Sequence, residues 1–92
     1  MADLVNIGFG NLVNSQKVIA VVNPDAAPIK RLVQNAREAQ KVIDATQGRR
    51  TKSVLIMETE QIILSAMQPD TIAKRFAARY MLEQEVKGEE EK

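Results

Sequence analysis

Apolar positions along this chain follow two different periods. Leu4 to Ile7, Lys17 to Val22 (KVIAVV), Val42 to Thr46 (VIDAT), Lys52 to Glu58 (KSVLIME) and Ile62 to Met67 (IILSAM) are short, apolar and largely β-branched, the pattern of strands. KVIAVV is apolar at successive positions and so predicts an interior strand covered on both faces. Two longer segments place apolar residues three and four apart. In the first, opened by Pro24 and Asp25 as turn and cap, Ile29, Leu32, Val33, Ala36 and Ala39 share one helical face. In the second, opened by Pro69 and Asp70, the inward face reads Ile72, Ala73, Phe76 and Tyr80.

The segments between these elements are built from turn residues. NIGFGNLVNSQ predicts a hairpin or bulge around Gly8 and Gly10. QGRR is a turn in which Gly48 can take a positive φ, and TEQ is another. The order is therefore ββαβββα, an α+β single domain in which the last three strands form an antiparallel meander with the arginine-bearing turn at one tip. Neither a repeat nor a linker interrupts it. The domain is expected over residues 1–82, followed by an acidic, disordered tail over 83–92 that includes GEEEK.

Charge refines this picture. The formal net charge is only +1, but residues 1–82 hold eleven Lys and Arg against seven Asp and Glu, a net of +4, whereas 83–92 hold two Lys against five Glu, a net of −3. A basic body carries an acidic end. With 92 residues, two Phe, one Tyr and no Trp, the core must be aliphatic and the domain is near the small end of self-sufficient folds, so burial of further surface between copies is expected. Head-to-tail contacts of that kind close into rings. Asp3 stands where a secretion signal would carry positive charge, and no apolar run reaches the roughly 18 residues of a membrane span. A cytoplasmic protein with no membrane partner is the expectation.

The chain has no His and no Cys, which removes the usual zinc ligands, the Cys and Ser/His nucleophile systems and the commonest acid-base group. No enzyme, no cofactor, no metal and no small-molecule substrate is expected. GFG at 8–10 lacks the following helix and Lys-Ser/Thr pair of a phosphate cradle, so it reads as a bulge or a close approach of backbones. Asp44, Glu58 and Glu60 are the only carboxylates that could pair for acid-base or metal work, but two of them sit beside a turn and the set reads as solvated turn charges. The helical face with Lys30, Arg31, Arg37 and Lys41 is diluted by Glu38 and favours a solvated surface.

TQGRRTKSVLIM, residues 46–57, is different: Arg49, Arg50 and Lys52 stand on one tight turn with no acidic residue in the stretch. Guanidinium groups match phosphate oxygens in bidentate geometry, and a protruding turn presents them without steric competition. Helix-turn-helix signals, basic-zipper heptads and interleaved aromatic residues are all missing. The residues alone balance nucleic-acid contact against an exposed solubility turn, and within the first reading they favour double-stranded DNA held by its phosphates.

LVNIGFGN, PDAAPIKR, DATQGRRT and VLIMETEQIILSAMQPDTIAKR, in this order over roughly residues 4 to 76, together resemble the RemA family of bacterial extracellular-matrix regulators. The resemblance implies a DNA-binding transcriptional activator of biofilm-matrix genes. It also implies a homo-oligomeric ring, an octamer being one such closure, with DNA wrapped around it through a LytTR-like part of each subunit. The family's two adjacent arginines implicated in DNA contact match Arg49 and Arg50, and a further family Arg matches Lys17. Lys17 keeps the charge but lacks the bidentate fork, which suits a single phosphate. Gln47 stands where the family pattern has Tyr or His. The other reading is a ring-shaped structural or adaptor protein that binds another protein through the same basic rim.

Overall fold

Two asparagines bend the first strands into a hairpin. In the computed structural model, which describes residues 3–78, β1 (Leu4–Asn6) pairs antiparallel with β2 (Leu12–Asn14), Val5 opposite Val13. Asn6 Oδ1 accepts a hydrogen bond from the Gly8 amide at 2.7 Å, and the Asn11 side-chain amide donates to the Gly8 carbonyl at 2.9 Å. The expected hairpin is present, but its second strand is LVN rather than KVIAVV. A three-residue strand has only one inward position, Val13, so period-2 alternation leaves no trace of it. Asn14 then caps a single 3-10 turn over Ser15–Lys17, its Oδ1 accepting from Gln16 N at 3.0 Å.

The chain continues as β3 (Val18–Val22), helix α1 (Ala27–Glu38), β4 (Val42–Asp44), β5 (Ser53–Met57) and β6 (Ile62–Ser65), and then helix α2, which occupies 69–78. Helix α1 starts at Ala26 without a side-chain cap and with Pro28 in its first turn. Asp25 is held one step earlier, where Asn23 Oδ1 accepts from its amide at 2.8 Å. Arg79, Tyr80 and the acidic segment 83–92 lie outside the described residues.

The fold class is α+β, with two helices and mostly antiparallel strands, as the pattern predicts. The strand order differs from a meander. The larger sheet runs β3-β5-β6-β4, with β5 antiparallel to both β3 and β6. Strand β4 pairs with β6, in parallel, Val42 opposite Ile62 and Asp44 opposite Leu64. Sequence proximity favours β4 beside β5, yet IILS, every residue of it buried, is more effectively shielded between two neighbours. Apolar periodicity reports the faces of a strand and is silent on which strand it pairs with.

For the same reason β3 is an edge strand rather than an interior one, with β5 as its sole sheet neighbour among the described residues. It is covered above and below while one line of its backbone groups stays open. Its pairing is irregular between Val18 and Ala20, and Ile19 is 67% exposed there.

Layers form on both faces of the sheet. On one, Val54, Ile62 and Leu64 pack with Ala36, Ile29 and Val33 of α1. On the other, Leu55 and Ile63 pack with Ile7 and Val13 of the hairpin and with Ile72 and Phe76 of α2. Each fully buried Ile or Leu here, such as Ile7, Leu55, Leu64 and Ile72, contributes about 1.5–3 kcal/mol. Arg75 fastens α2 to the hairpin by donating from Nη1 to the Asn6 carbonyl at 2.9 Å. No helix among the described residues is long and apolar enough to cross a membrane.

Candidate functional site

The basic turn is anchored at both roots and free at its tip. Asp44, the last residue of β4, accepts at Oδ1 from the Thr46 amide at 2.9 Å and from the Thr46 hydroxyl at 2.6 Å. This Asx-type turn starts the loop. Thr46 is 2% exposed, and its carbonyl accepts from Arg49 N at 3.0 Å, closing the next turn. Between them Gln47 and Gly48 both take positive φ, 55° and 78°, so the predicted role of Gly48 holds and Gln47 shares it. The amides of Ala45 and Lys52 donate to Leu64 O and Ser65 O at 2.9 and 2.8 Å. Both loop ends are therefore pinned to β6, while Arg49, Arg50 and Lys52 remain exposed.

The hydrogen bonds around Asp44 also set its titration. The Thr46 hydroxyl holds the carboxyl below its ordinary value of 3.8, helped by the Thr46 amide and by the Arg37 charge, with burial acting in the opposite direction.

The GFG turn stands beside the basic turn. Ser53 and Ser65, both buried, face each other across β5 and β6 and brace the two loops. Ser65 Oγ donates to the Ile7 carbonyl at 2.7 Å and accepts from Met67 N at 3.1 Å, and Ser53 Oγ donates to the Met67 carbonyl. Phe9 is 51% exposed, and the Arg49 guanidinium carbon lies 6.0 Å from its ring centroid. Phe9, Arg49, Arg50, Lys52 and Ala66 line an open recess of about 300 Å³. A second recess, of about 180 Å³, is lined by Asn23, Pro24, Asp25, Arg50, Thr51, Lys52 and Gln68. Beyond Thr51, a third brings in Lys30 and Arg37 of α1. The basic surface thus extends from Phe9 past the turn to one side of α1.

Of the four residues singled out by sequence, Arg49, Arg50 and Lys52 are brought together and Lys17 is not. Lys17 precedes β3 at the end where Val18 faces Met57, whereas the turn enters β5 at Ser53. The length of β5, roughly 13–17 Å at the usual rise per residue, separates them. Lys17 Nζ lies 3.6 Å from Glu58 Oε2, and Lys41 Nζ lies 3.2 Å from Glu60 Oε2. Both pairs are exposed and worth little to the fold. Glu58 and Glu60 are thereby solvated turn charges, as read from the sequence. No ion pair among the described residues neutralises Arg49, Arg50 or Lys52, and no group of three acidic residues there could hold a metal ion.

Sequence reasoning missed Phe9, Thr46, Ser53 and Ser65. The D-x-T spacing of Asp44 and Thr46 is a legible signal of an Asx turn. The serines resemble ordinary strand residues, and the proximity of Phe9 to Arg49 spans forty positions, so neither leaves a local signature. What the arrangement does chemically is concentrate cationic hydrogen-bond donors that have no ion pair among the described residues, with one aromatic ring, on a braced surface suited to polyanions.

Comparisons with known proteins show similarity to regulatory proteins. A relative in Lachnoclostridium phytofermentans, named "Putative regulatory protein", is 54% identical over 83 residues, covering 90% of this chain and 91% of the relative. One of the same name in Fervidobacterium nodosum is 58% identical over 76 residues, covering 83% and 82%. Another, in Geobacillus kaustophilus, is 52% identical over 75 residues, covering 82% and 86%. Residues 4–76 match the family described as "RemA-like: Extracellular matrix regulatory protein A-like". With the match spanning both sheets, the basic turn and most of α2, and with relatives at these identities, the chain belongs to the RemA-like family of regulatory proteins.

Proposed function

We propose that this protein is a DNA-binding transcriptional regulator, an activator of extracellular-matrix and biofilm genes, that works as a homo-oligomeric ring contacting duplex DNA through repeated basic turns. The observation that carries the reading is the turn itself: Arg49, Arg50 and Lys52 are exposed and have no ion pair among the described residues, on a loop whose two roots are hydrogen-bonded to β6. A loop held this firmly presents its guanidinium groups at little cost in ordering. The family description supports the matrix-regulatory role. Ring assembly is supported by the edge strands of the larger sheet, β3 and β4, each with no further strand beside it among the described residues and each with an exposed isoleucine: Ile19 at 67% and Ile43 at 47%. Different surfaces at opposite edges suit head-to-tail closure. Lys17, at the far end of β5, reaches a different phosphate from the turn and must first leave Glu58, so its contribution is the smaller one.

A gel shift with duplex DNA over a salt series tests this. Wild type should bind with a steep negative salt slope, and removing one phosphate-binding charge per subunit should reduce its magnitude by about 0.9 for each engaged turn. Arg49→Ala and Arg50→Ala should each weaken binding and flatten the slope while changing folding stability within about 0.5 kcal/mol. Lys17→Ala should do the same to a lesser degree. Affinity that is indifferent to all three substitutions would reject the reading and favour a ring that recruits a protein partner through its rim.

A further inference from the structure

We propose that Phe9 is a positioning residue for Arg49 in the DNA contact, an inference that rests on the DNA reading above. Three consecutive residues, Gly8, Phe9 and Gly10, take positive φ of 115°, 54° and 76°. Glycine meets that requirement freely, but a bulky aromatic does so rarely and with some strain. The turn is nonetheless tightly specified, by the two asparagine side chains and by Ile7 N donating to Asn11 O at 2.9 Å and Asn11 N to Gly8 O at 3.0 Å. Its effect is to hold Phe9 away from both hydrophobic clusters. A strained residue that is also an exposed aromatic has no stability rationale, and such outliers point to function.

Arg49 supplies the function. Its guanidinium carbon is 6.0 Å from the Phe9 ring centroid, at the outer range of a cation–π contact. In the recess they share with Arg50 and Lys52, the ring limits the positions open to the guanidinium on its side of the turn. Arg49 has no ion pair among the described residues to do this instead. The Ser65 bond to Ile7 O ties the hairpin carrying Phe9 to the strand that anchors the basic turn. The ring and the arginine are thereby held as one unit.

The test compares duplex affinity across a salt series for wild type, Phe9→Gly, Phe9→Trp, Arg49→Ala and the Phe9→Gly/Arg49→Ala double variant, alongside thermal midpoints and oligomer size. Phe9→Gly relieves the backbone, so its midpoint should stay at or above that of wild type with assembly intact. Its affinity should fall by about two- to fivefold per engaged turn, the range of an exposed cation–π contact. The salt slope should not move, because no charge is removed. Phe9→Trp should bind like wild type. In the Arg49→Ala background Phe9→Gly should add nothing. If Phe9→Gly fails to fold, Phe9→Leu, which keeps apolar bulk without the ring, carries the same comparison. Arg49→Ala binding like wild type would defeat the DNA reading itself. If Arg49→Ala weakens binding but the Phe9 variants match wild type, or weaken binding equally in both backgrounds, the positioning role is overturned. Loss of assembly in Phe9→Gly at an unchanged midpoint would also overturn it, assigning the ring to contact between copies.

Discussion

Asp44 carries none of the positive charge of the basic turn, yet it shapes where that charge stands. Its Oδ1 takes two hydrogen bonds from Thr46 and so sets the direction in which Gln47 to Arg50 leave the sheet. Its carboxyl titrates below 3.8, first because of the Thr46 hydroxyl. A carboxylate whose folded pKa is depressed stabilises the fold above the unfolded value, and that contribution disappears as pH falls through the folded value. Thr46→Val keeps the buried shape and removes the hydroxyl. It should lower stability at pH 7 by about 1 kcal/mol, toward the low side for a charged acceptor because Asp44 is exposed and screened by solvent. The gap from wild type should narrow as pH drops below 3.8. Urea denaturation at pH 7 and near pH 3 measures this, and a gap of constant size would remove the carboxylate from the explanation.

Among the elements, β3 shows most clearly how burial and pairing differ. Val18 and Val21 pack on one cluster and Val22 on the other, so both faces are covered even though one edge is open. Natural sheets commonly blunt such an edge with a charge, a bulge or a partner. Here the irregularity near Ile19 is present but the side chain is apolar. If this edge joins the next subunit, Ile19→Lys should yield monomers in analytical ultracentrifugation with an unchanged circular dichroism spectrum. A substitution at so exposed a position changes subunit stability within about 0.5 kcal/mol. Rings that persist in this variant would place the contact between subunits elsewhere, with Ile43 on β4 the next to examine.

At the scale of the whole molecule, the proposed function makes a single turn a weak ligand for DNA. With two or three phosphate contacts it reaches only non-specific affinity, roughly 10⁻⁴ to 10⁻⁶ M at physiological salt. In the proposed ring the turn would recur, and each engaged subunit would raise the effective concentration of the next. Affinity should therefore climb with duplex length until no further subunit can be reached. Following a ring also bends DNA, at roughly 1–6 kcal/mol for a 20–30 base-pair site, which selects flexible sequences over a strict base code. Duplexes of about 15 and 60 base pairs, compared per available binding register, should differ steeply if several turns engage at once. Equal affinities would mean that one subunit reads one site.

Local pattern by itself determined the α+β class, the core-facing helical positions Ile29, Val33, Ala36, Ile72 and Phe76, and the position of the basic turn. These depend on residues a few positions apart: Ile29 with Val33 and Ala36, Ile72 with Phe76, Arg49 with Arg50 and Lys52. Leu32, Ala39 and Ala73, expected on the same faces, are exposed. Longer blocks such as DATQGRRT also made the RemA-like family legible, as the match over residues 4–76 shows. Tertiary structure decided what joins distant positions. It set β4 beside β6 rather than β5, left β3 at an edge, separated Lys17 from the arginines by the length of β5, and brought Phe9 to Arg49. The physical reason is one of range. Periodicity and turn chemistry encode which side of an element is apolar, whereas strand order and loop proximity follow from minimising exposed surface and unpaired backbone groups over the whole chain at once.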